Sequence, residues 1–209
     1  MNYSARSTAG SFARCATASS ARCAASDREK LLIDLKKHIP FASHEKEMVG
    51  KVIALIESTP DCFHNNSFPA HMTASAWIID NSSTHLLFTH HRKLNKWLQL
   101  GGHADGEENL VNAATREAME ESGLKSVRLA APGIFDVDVH EIPARKDIPA
   151  HYHYDVRYLF KADKDEPLVV SDESHDLKWV AINEVELYNS SLSILRMLQK
   201  TITKLKQNI

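Results

Sequence analysis

Cysteine is scarce in this chain. Among 209 residues there are three, Cys15, Cys23 and Cys62, an odd number held in the first third with no CxxC pair. That speaks against a disulfide framework and against a cysteine-built zinc site, and it fits a reducing compartment. An excess of one charge is missing too. Lys and Arg number 25 against 27 Asp and Glu, a net charge of -2. No broad basic field is available to attract a nucleic acid, so no nucleic-acid partner is expected. No apolar run approaches the roughly 18 residues of a membrane span, and no membrane partner is expected either. Internal repeats are absent. What remains is a chain 43% hydrophobic, enough for one good core with a small helical annex.

Residues 1–26 contain no Asp or Glu, are rich in Ser and Ala, and carry Arg6, Arg14 and Arg22 at intervals of eight. That composition suits a disordered tail or an organellar transit peptide, and in either case it stands outside the fold. The expected location is cytoplasmic, with organellar targeting as the alternative. Residues 27–70 read as a helical annex. Ser26 and Glu29 have the spacing of a capping box, and Leu31, Leu32, Leu35 and Ile39 form an apolar stripe that ends at Pro40. Ser43 is a candidate cap for a second helix, with Val49, Val52, Ile53 and Ile56 as its buried face and Pro60 beyond it. Cys62, Phe63 and Phe68 read as anchors of the following linker. A dimer is the base-rate expectation for oligomeric state.

The chemistry concentrates in Gly101–Leu124, GGHADGEENLVNAATREAMEESGL. Glu117, Glu120 and Glu121 stand at i, i+3 and i+4, on one side of a helix at about 100° per residue. Like charges that close raise one another's pKa unless a cation sits among them. A solvated acidic face is the bland alternative. An all-oxygen donor set favours a hard ion, Mg²⁺ or Mn²⁺, over zinc. Counting from Gly102, five residues lead to Glu108 and seven more to Arg116-Glu117, followed by Ala118, Met119, Glu120-Glu121, Ser122, Gly123 and Leu124. This resembles the Nudix box, G-x5-E-x7-R-E-U-x-E-E-x-G-U, with Ala118 in place of a bulky aliphatic residue as the one soft departure.

The resemblance implies an α/β fold, the Nudix-type α/β/α sandwich with a mixed sheet, over residues 71–209. It also implies that the Gly101 carbonyl joins Glu117, Glu120 and Glu121 around the metal, with Arg116 and Glu108 as an orienting pair. The implied reaction is hydrolysis of a phosphoanhydride in a nucleoside diphosphate linked to another moiety. Glu120 is the first candidate for the base, and Glu173, in SDESHDLKWV, the second. A module that senses a nucleotide without cleaving it is the competing class, but such modules would be expected to lose box acids, and none is lost here. An isomerase of the same fold would want a cysteine after Cys62, and there is none.

Outside the box, TASAWIID and THLLFTH read as a hairpin. The connection after them offers Arg92, Lys93 and Lys96 as donors to phosphate oxygens. Two later segments alternate. One sets Asp136, Asp138 and His140 on a single face; the other does the same for His151, His153, Asp155 and Arg157. Paired antiparallel, they make one polar patch. With His103, the expectation is that His140, His151, His153 and Arg157 border the substrate, the histidines binding phosphate or a second metal. Ser191 onward reads as a closing helix with Leu192, Leu195, Leu198, Ile202 and Leu205 as its stripe.

Overall fold

The computed structural model describes residues 1, 25–145 and 148–207. The targeting-like reading of residues 1–26 therefore lies, apart from three positions, outside the described residues. Two helices come first, α1 (Asp27–Lys37) and α2 (Ser43–Ser58). The capping box of α1 forms as its spacing predicts: Ser26 Oγ accepts from the Glu29 N–H, and the Glu29 carboxylate accepts from the Ser26 N–H at 2.8 Å. In α2 the cap is Ala42, with no side-chain hydrogen bond, and Ser43 is the first helical residue.

The sheet follows as β1 (Ala70–Asp80), β2 (His85–His91), β3 (Lys96–Leu98) and β4 (Leu100–His103), then α3 (Leu110–Ser122). After α3 come β5 (Arg128–Leu129), β6 (Asp136–Ile142), β7 (His151–Ala162) and β8 (Ser174–Ala181). A 3-10 turn (Ile182–Glu184), α4 (Val185–Tyr188) and α5 (Leu192–Gln207) close the chain. The strands form one mixed sheet in the order β3-β2-β1-β7-β5, with β4 also paired to β1, β6 to β7 and β8 to β2. β1 runs parallel to β7 from Ala70↔Tyr152 to Asp80↔Ala162. Every residue of β1 is buried, as a central strand covered on both faces must be.

Alternation along β1 divides the core. Met72, Ala74, Ala76 and Ile78 share a cluster with Leu31 and Leu35 of α1, Val49, Val52 and Ile56 of α2, and Ala113, Ala114 and Ala118 of α3. Small residues from α3 and β1 in one cluster allow the helix to lie close on the sheet, and Ala118 is fully buried there. Trp77 and Ile79 belong instead to a second cluster with Phe88, Leu159, Val180, Ile194, Met197 and Leu198, and the Trp77 indole donates to Thr201 Oγ1 of α5 at 2.9 Å. Helices thus cover both faces, the α/β/α sandwich that the box implies. No helix among the described residues is long and apolar enough to cross a membrane.

Two apolar stripes differ from expectation. Ile39 is 87% exposed because α1 stops at Lys37. In α5 the buried face is Ile194, Arg196, Met197, Leu198 and Thr201, and Leu192 is 80% exposed. The helix is rotated so that Arg196 meets two buried aspartates, a demand that a count of apolar residues does not register.

Candidate active site

The glycine pair of β4 lies in close quarters: at Gly101 a side chain would strike backbone, and at Gly102 it would displace the Glu117 carboxylate. Gly101 has φ +149°, and a Cβ there would meet the Ala74 carbonyl oxygen at 2.6 Å. A Cβ on Gly102 would come within 2.5 Å of Glu117 Oε2. Backbone of β4 therefore lies directly against the carboxylates of α3. The helix is set by Asn109, whose side chain accepts from the Asn112 N–H, and it ends at Gly123 with φ +72°.

The three glutamates occupy unequal environments. Glu120 is 62% exposed at its side chain, whereas Glu121 is buried at 5% of its area. Arg116 serves the first two: Nη1 donates to Glu117 Oε1 at 2.7 Å and to Glu120 Oε2 at 3.3 Å, while Nη2 donates to the His103 carbonyl at 2.9 Å. Glu121 accepts only from the Gly101 N–H, at 3.2 Å, and among the described residues no cation lies within ion-pair distance of it. Burial pushes its carboxyl up to about 8, opposed by that hydrogen bond and reinforced by the negative charges of Glu117 and Glu173. Burial also holds Glu117 above the usual carboxylate range, although Arg116 pulls it down. An acidic cluster with one undercompensated buried member fits a hard divalent ion held by oxygen.

Arg116 does not pair with Glu108. The partner of Glu108 is Arg28 of α1, whose Nε donates to it at 2.9 Å and whose guanidinium lies 5.0 Å from the centre of the Phe63 ring. The box pattern contains nothing of the annex, so a partner from α1 was outside its reach.

The remaining candidates separate into three groups. Glu173 is exposed in the turn just before β8, and its charge is felt at Glu121, His91 and His103. Arg92 uses Nη2 to hold the Ser174 carbonyl at 3.0 Å, tying the turn after β2 to β8. Lys93 is exposed, and its charge reaches His91 and His103. Lys96 lines a cavity of about 400 Å³ with Leu98, Tyr188, Asn189, Ser190 and Ser191, a set that includes none of the box carboxylates.

Arg157 corrects the sequence reading. β6 and β7 do pair antiparallel, with Asp136↔Arg157, Asp138↔Asp155 and His140↔His153, so the polar patch exists. At its Arg157 end α5 covers it. Arg157 is 2% exposed and donates to Asp155 at 2.7 Å, Asp136 at 3.2 Å, Asp138 at 3.1 Å and Ser193 at 2.6 Å. Arg196 and Lys200 join from α5, Lys200 bridging Asp136 and the wholly buried Glu45 of α2. Burial disfavours the Arg157 charge, but the three aspartates outweigh it and raise its pKa. Four of its N–H groups are thus taken up by protein oxygens, which makes Arg157 part of a buried charge network in this structure.

The other end of the patch is histidine. His71 of β1, which the sequence reading passed over, is the register partner of His153. Its ring lies 4.9 Å from His153, 5.0 Å from His151 and 5.1 Å from His103. The His140 ring is 5.6 Å from His153, and its Nδ1 is 3.2 Å from Asp138 Oδ2. Burial lowers the pKa of His71 and His103 and takes His153 down to about 2, helped by the surrounding imidazoles. The charged form is therefore disfavoured at all three rings, most strongly at His153. The signal for His71 was available in AHMTASAWIID, where His71, Thr73 and Ser75 share one face, but recognising it required the parallel pairing with β7.

Carboxylates on a helix after a glycine-bearing strand, on a mixed sheet between helices, define a hydrolase of the Nudix fold. The profile of the NUDIX domain matches residues 69–200, and the chain belongs to the Nudix family. A probable DHNTP pyrophosphohydrolase of Lactococcus lactis is 28% identical over 138 residues, 65% of this chain and 80% of that protein. The crystal structure of an Ap4A hydrolase of C. elegans, a binary complex, superposes with a TM-score of 0.53 at 17% identity. That match covers 65% of this chain and 98% of the other, and it speaks for the fold alone.

Proposed function

We propose that this Nudix hydrolase is a divalent-metal-dependent pyrophosphohydrolase acting on a nucleoside diphosphate linked to another moiety. The observation that carries the reading is Glu121, a buried carboxylate with two anionic neighbours and no cation. Glu117, Glu120, Glu121 and the Gly101 carbonyl would hold Mg²⁺ or Mn²⁺. Such an ion, when bound, neutralises charge on the phosphate oxygens and orients the anhydride for in-line attack.

The chain supplies the rest. Arg116 positions Glu117 and Glu120 and fixes β4 through the His103 carbonyl. Glu120, exposed beside them, is the first candidate to take the proton from the attacking water. Glu173 is the second, supported by its reach to Glu121. Arg92 and Lys93 on the turn after β2 are the proposed donors to phosphate, with Lys96, the first residue of β3, as a third. His103, His140 and His153 are the imidazoles proposed to border the substrate from the sheet, as hydrogen-bonding groups.

The test is product release from a substrate panel with Mg²⁺ and with Mn²⁺, comparing wild type with Glu120→Gln. The panel holds ADP-ribose, dinucleoside polyphosphates, nucleotide sugars, nucleoside triphosphates and, given the Lactococcus lactis relative, DHNTP. Metal-dependent turnover of one class, reduced by about 100-fold or more in the variant, is the expected outcome. Tight nucleotide binding with no turnover of any compound would replace the hydrolytic reading with that of a sensor.

A further inference from the structure

Three imidazoles converge where β1 and β7 begin. One ring nitrogen from each of His71, His151 and His153 lies within 4.8 Å of the other two. Backbone carbonyls settle two of the tautomers. His71 Nδ1 is 3.2 Å from the Ser67 carbonyl oxygen, and His151 Nδ1 is 2.9 Å from that of Pro149. A carbonyl only accepts, so each Nδ1 carries the proton and each Nε2 presents a lone pair. His71 is 1% exposed, and among the described residues its Nε2 has no partner at all. A buried, unpartnered lone pair beside two further imidazoles is an unsatisfied arrangement unless something electrophilic is shared among them.

We propose that His71, His151 and His153 form a site for an imidazole-preferring transition-metal ion of the Zn²⁺ class, separate from the carboxylates of α3. Nitrogen ligands hold zinc at about 2.0–2.1 Å, so two corners of a tetrahedral site stand roughly 3.3–3.4 Å apart. His151 Nε2 and His153 Nε2 are 3.3 Å apart. The Nδ1–H to carbonyl bonds of His71 and His151 are the outer-sphere pattern that orients metal-binding imidazoles. Phe68 packs its edge on the His151 ring at 5.4 Å and shields that side. The donor set, three nitrogens and no carboxylate, discriminates against Mg²⁺, which demands oxygen. Three protein ligands leave the fourth position to water. His103 links the two sites, because its ring packs against His71 and His153 while its carbonyl holds Arg116.

The experiment uses the full chain, stripped with a chelator and kept in excess Mg²⁺, titrated with Co²⁺ alone and followed by its visible absorption. One equivalent should bind with the intense bands of a low-coordinate, nitrogen-ligated ion, and Zn²⁺ should bleach them. His71→Ala and, separately, His153→Ala should weaken binding by more than the roughly 10- to 100-fold that follows loss of an outer-sphere partner. Glu121→Gln should retain both the stoichiometry and the bands. Circular dichroism of each variant separates lost binding from lost fold, and His151→Ala serves if either of the first two does not fold. The proposal is overturned if no Co²⁺ binds in excess Mg²⁺, or if the bound ion is octahedral and depends on Glu121. Undiminished binding in folded His71→Ala and His153→Ala would overturn it equally. Because the readout is binding rather than turnover, failure here leaves the hydrolase reading intact, and the converse also holds.

Discussion

Two groups of carboxylates in this protein are treated in opposite ways. Asp136, Asp138, Asp155 and Glu45 are all buried, and Arg157, Arg196 and Lys200 thread between them. Burial raises both the Asp138 and the Glu45 carboxyl, but Arg157 and further partners lower Asp138 well below the usual range, and His38, Lys200 and the Phe41 N–H take Glu45 down to about 2. Glu117, Glu120 and Glu121 share one cation, Arg116, which does not reach the most buried of the three. At Glu117 and Glu121 the net shift is upward. The first group sets three cations against four carboxylates and ties β6, β7, α5 and α2 together. The second has one cation for three carboxylates, and that larger deficit marks a place where a cation belongs.

The largest effect that would break this comparison is at Arg157. Arg157→Met removes one member of a fully buried network and leaves three aspartates short of positive charge. The expected loss is about 3–5 kcal/mol of stability, roughly 10 °C or more in Tm for a domain of this size. A thermal melt reads it directly. A variant with the wild-type melting curve and a raised KM would instead restore Arg157 to the substrate site.

The reverse sign is expected at Glu121. Its folded pKa is raised from 4.5 to about 8. Stability associated with the bound proton is therefore fully present below pH 4.5 and is lost as pH rises through about 8. In the metal-free protein, Glu121→Gln should match wild type near pH 4.5 and exceed it by roughly 1–3 kcal/mol above pH 8. Turnover, on the reading proposed above, should fall by about 100-fold or more. Added Mg²⁺ should raise the wild-type Tm and leave the variant's almost unmoved. A variant that loses stability at every pH would show that the carboxylate is structurally compensated after all.

How far each region was legible in the sequence follows from the range of its interactions. The box is local, so its spacing placed Glu117, Glu120 and Glu121 on one helix, and the glycine pair and the left-handed Gly123 with them. The alternation of β6 and β7 was equally legible, and the register joined their polar faces. Which end of that face is covered was not. Arg157 and His153 look alike in an alternating strand, and what separates them is Arg196 and Lys200, some forty residues later in α5. His71 was missed for the same reason, since its partners lie across a parallel pairing eighty residues away. Long-range charge partners in the annex were also beyond a local motif, as Glu108 shows.

That last pair should give the smallest effect. Arg28 and Glu108 meet at 2.9 Å with side chains 24% and 38% exposed, so water screens the attraction and competes for both ends. Arg28→Ala and Glu108→Gln should each cost less than about 1 kcal/mol, a change of a few degrees at most in a thermal melt. The double variant should show a coupling of only about 0.5 kcal/mol. Arg28 also lies over Phe63, so the alanine variant should be the worse of the two singles. Turnover should stay within a few-fold of wild type in both, because Arg116, not Glu108, holds Glu117 and Glu120 in place. A loss of kcat in Glu108→Gln comparable to that of Glu121→Gln would move Glu108 out of the structural group and into the undercompensated one.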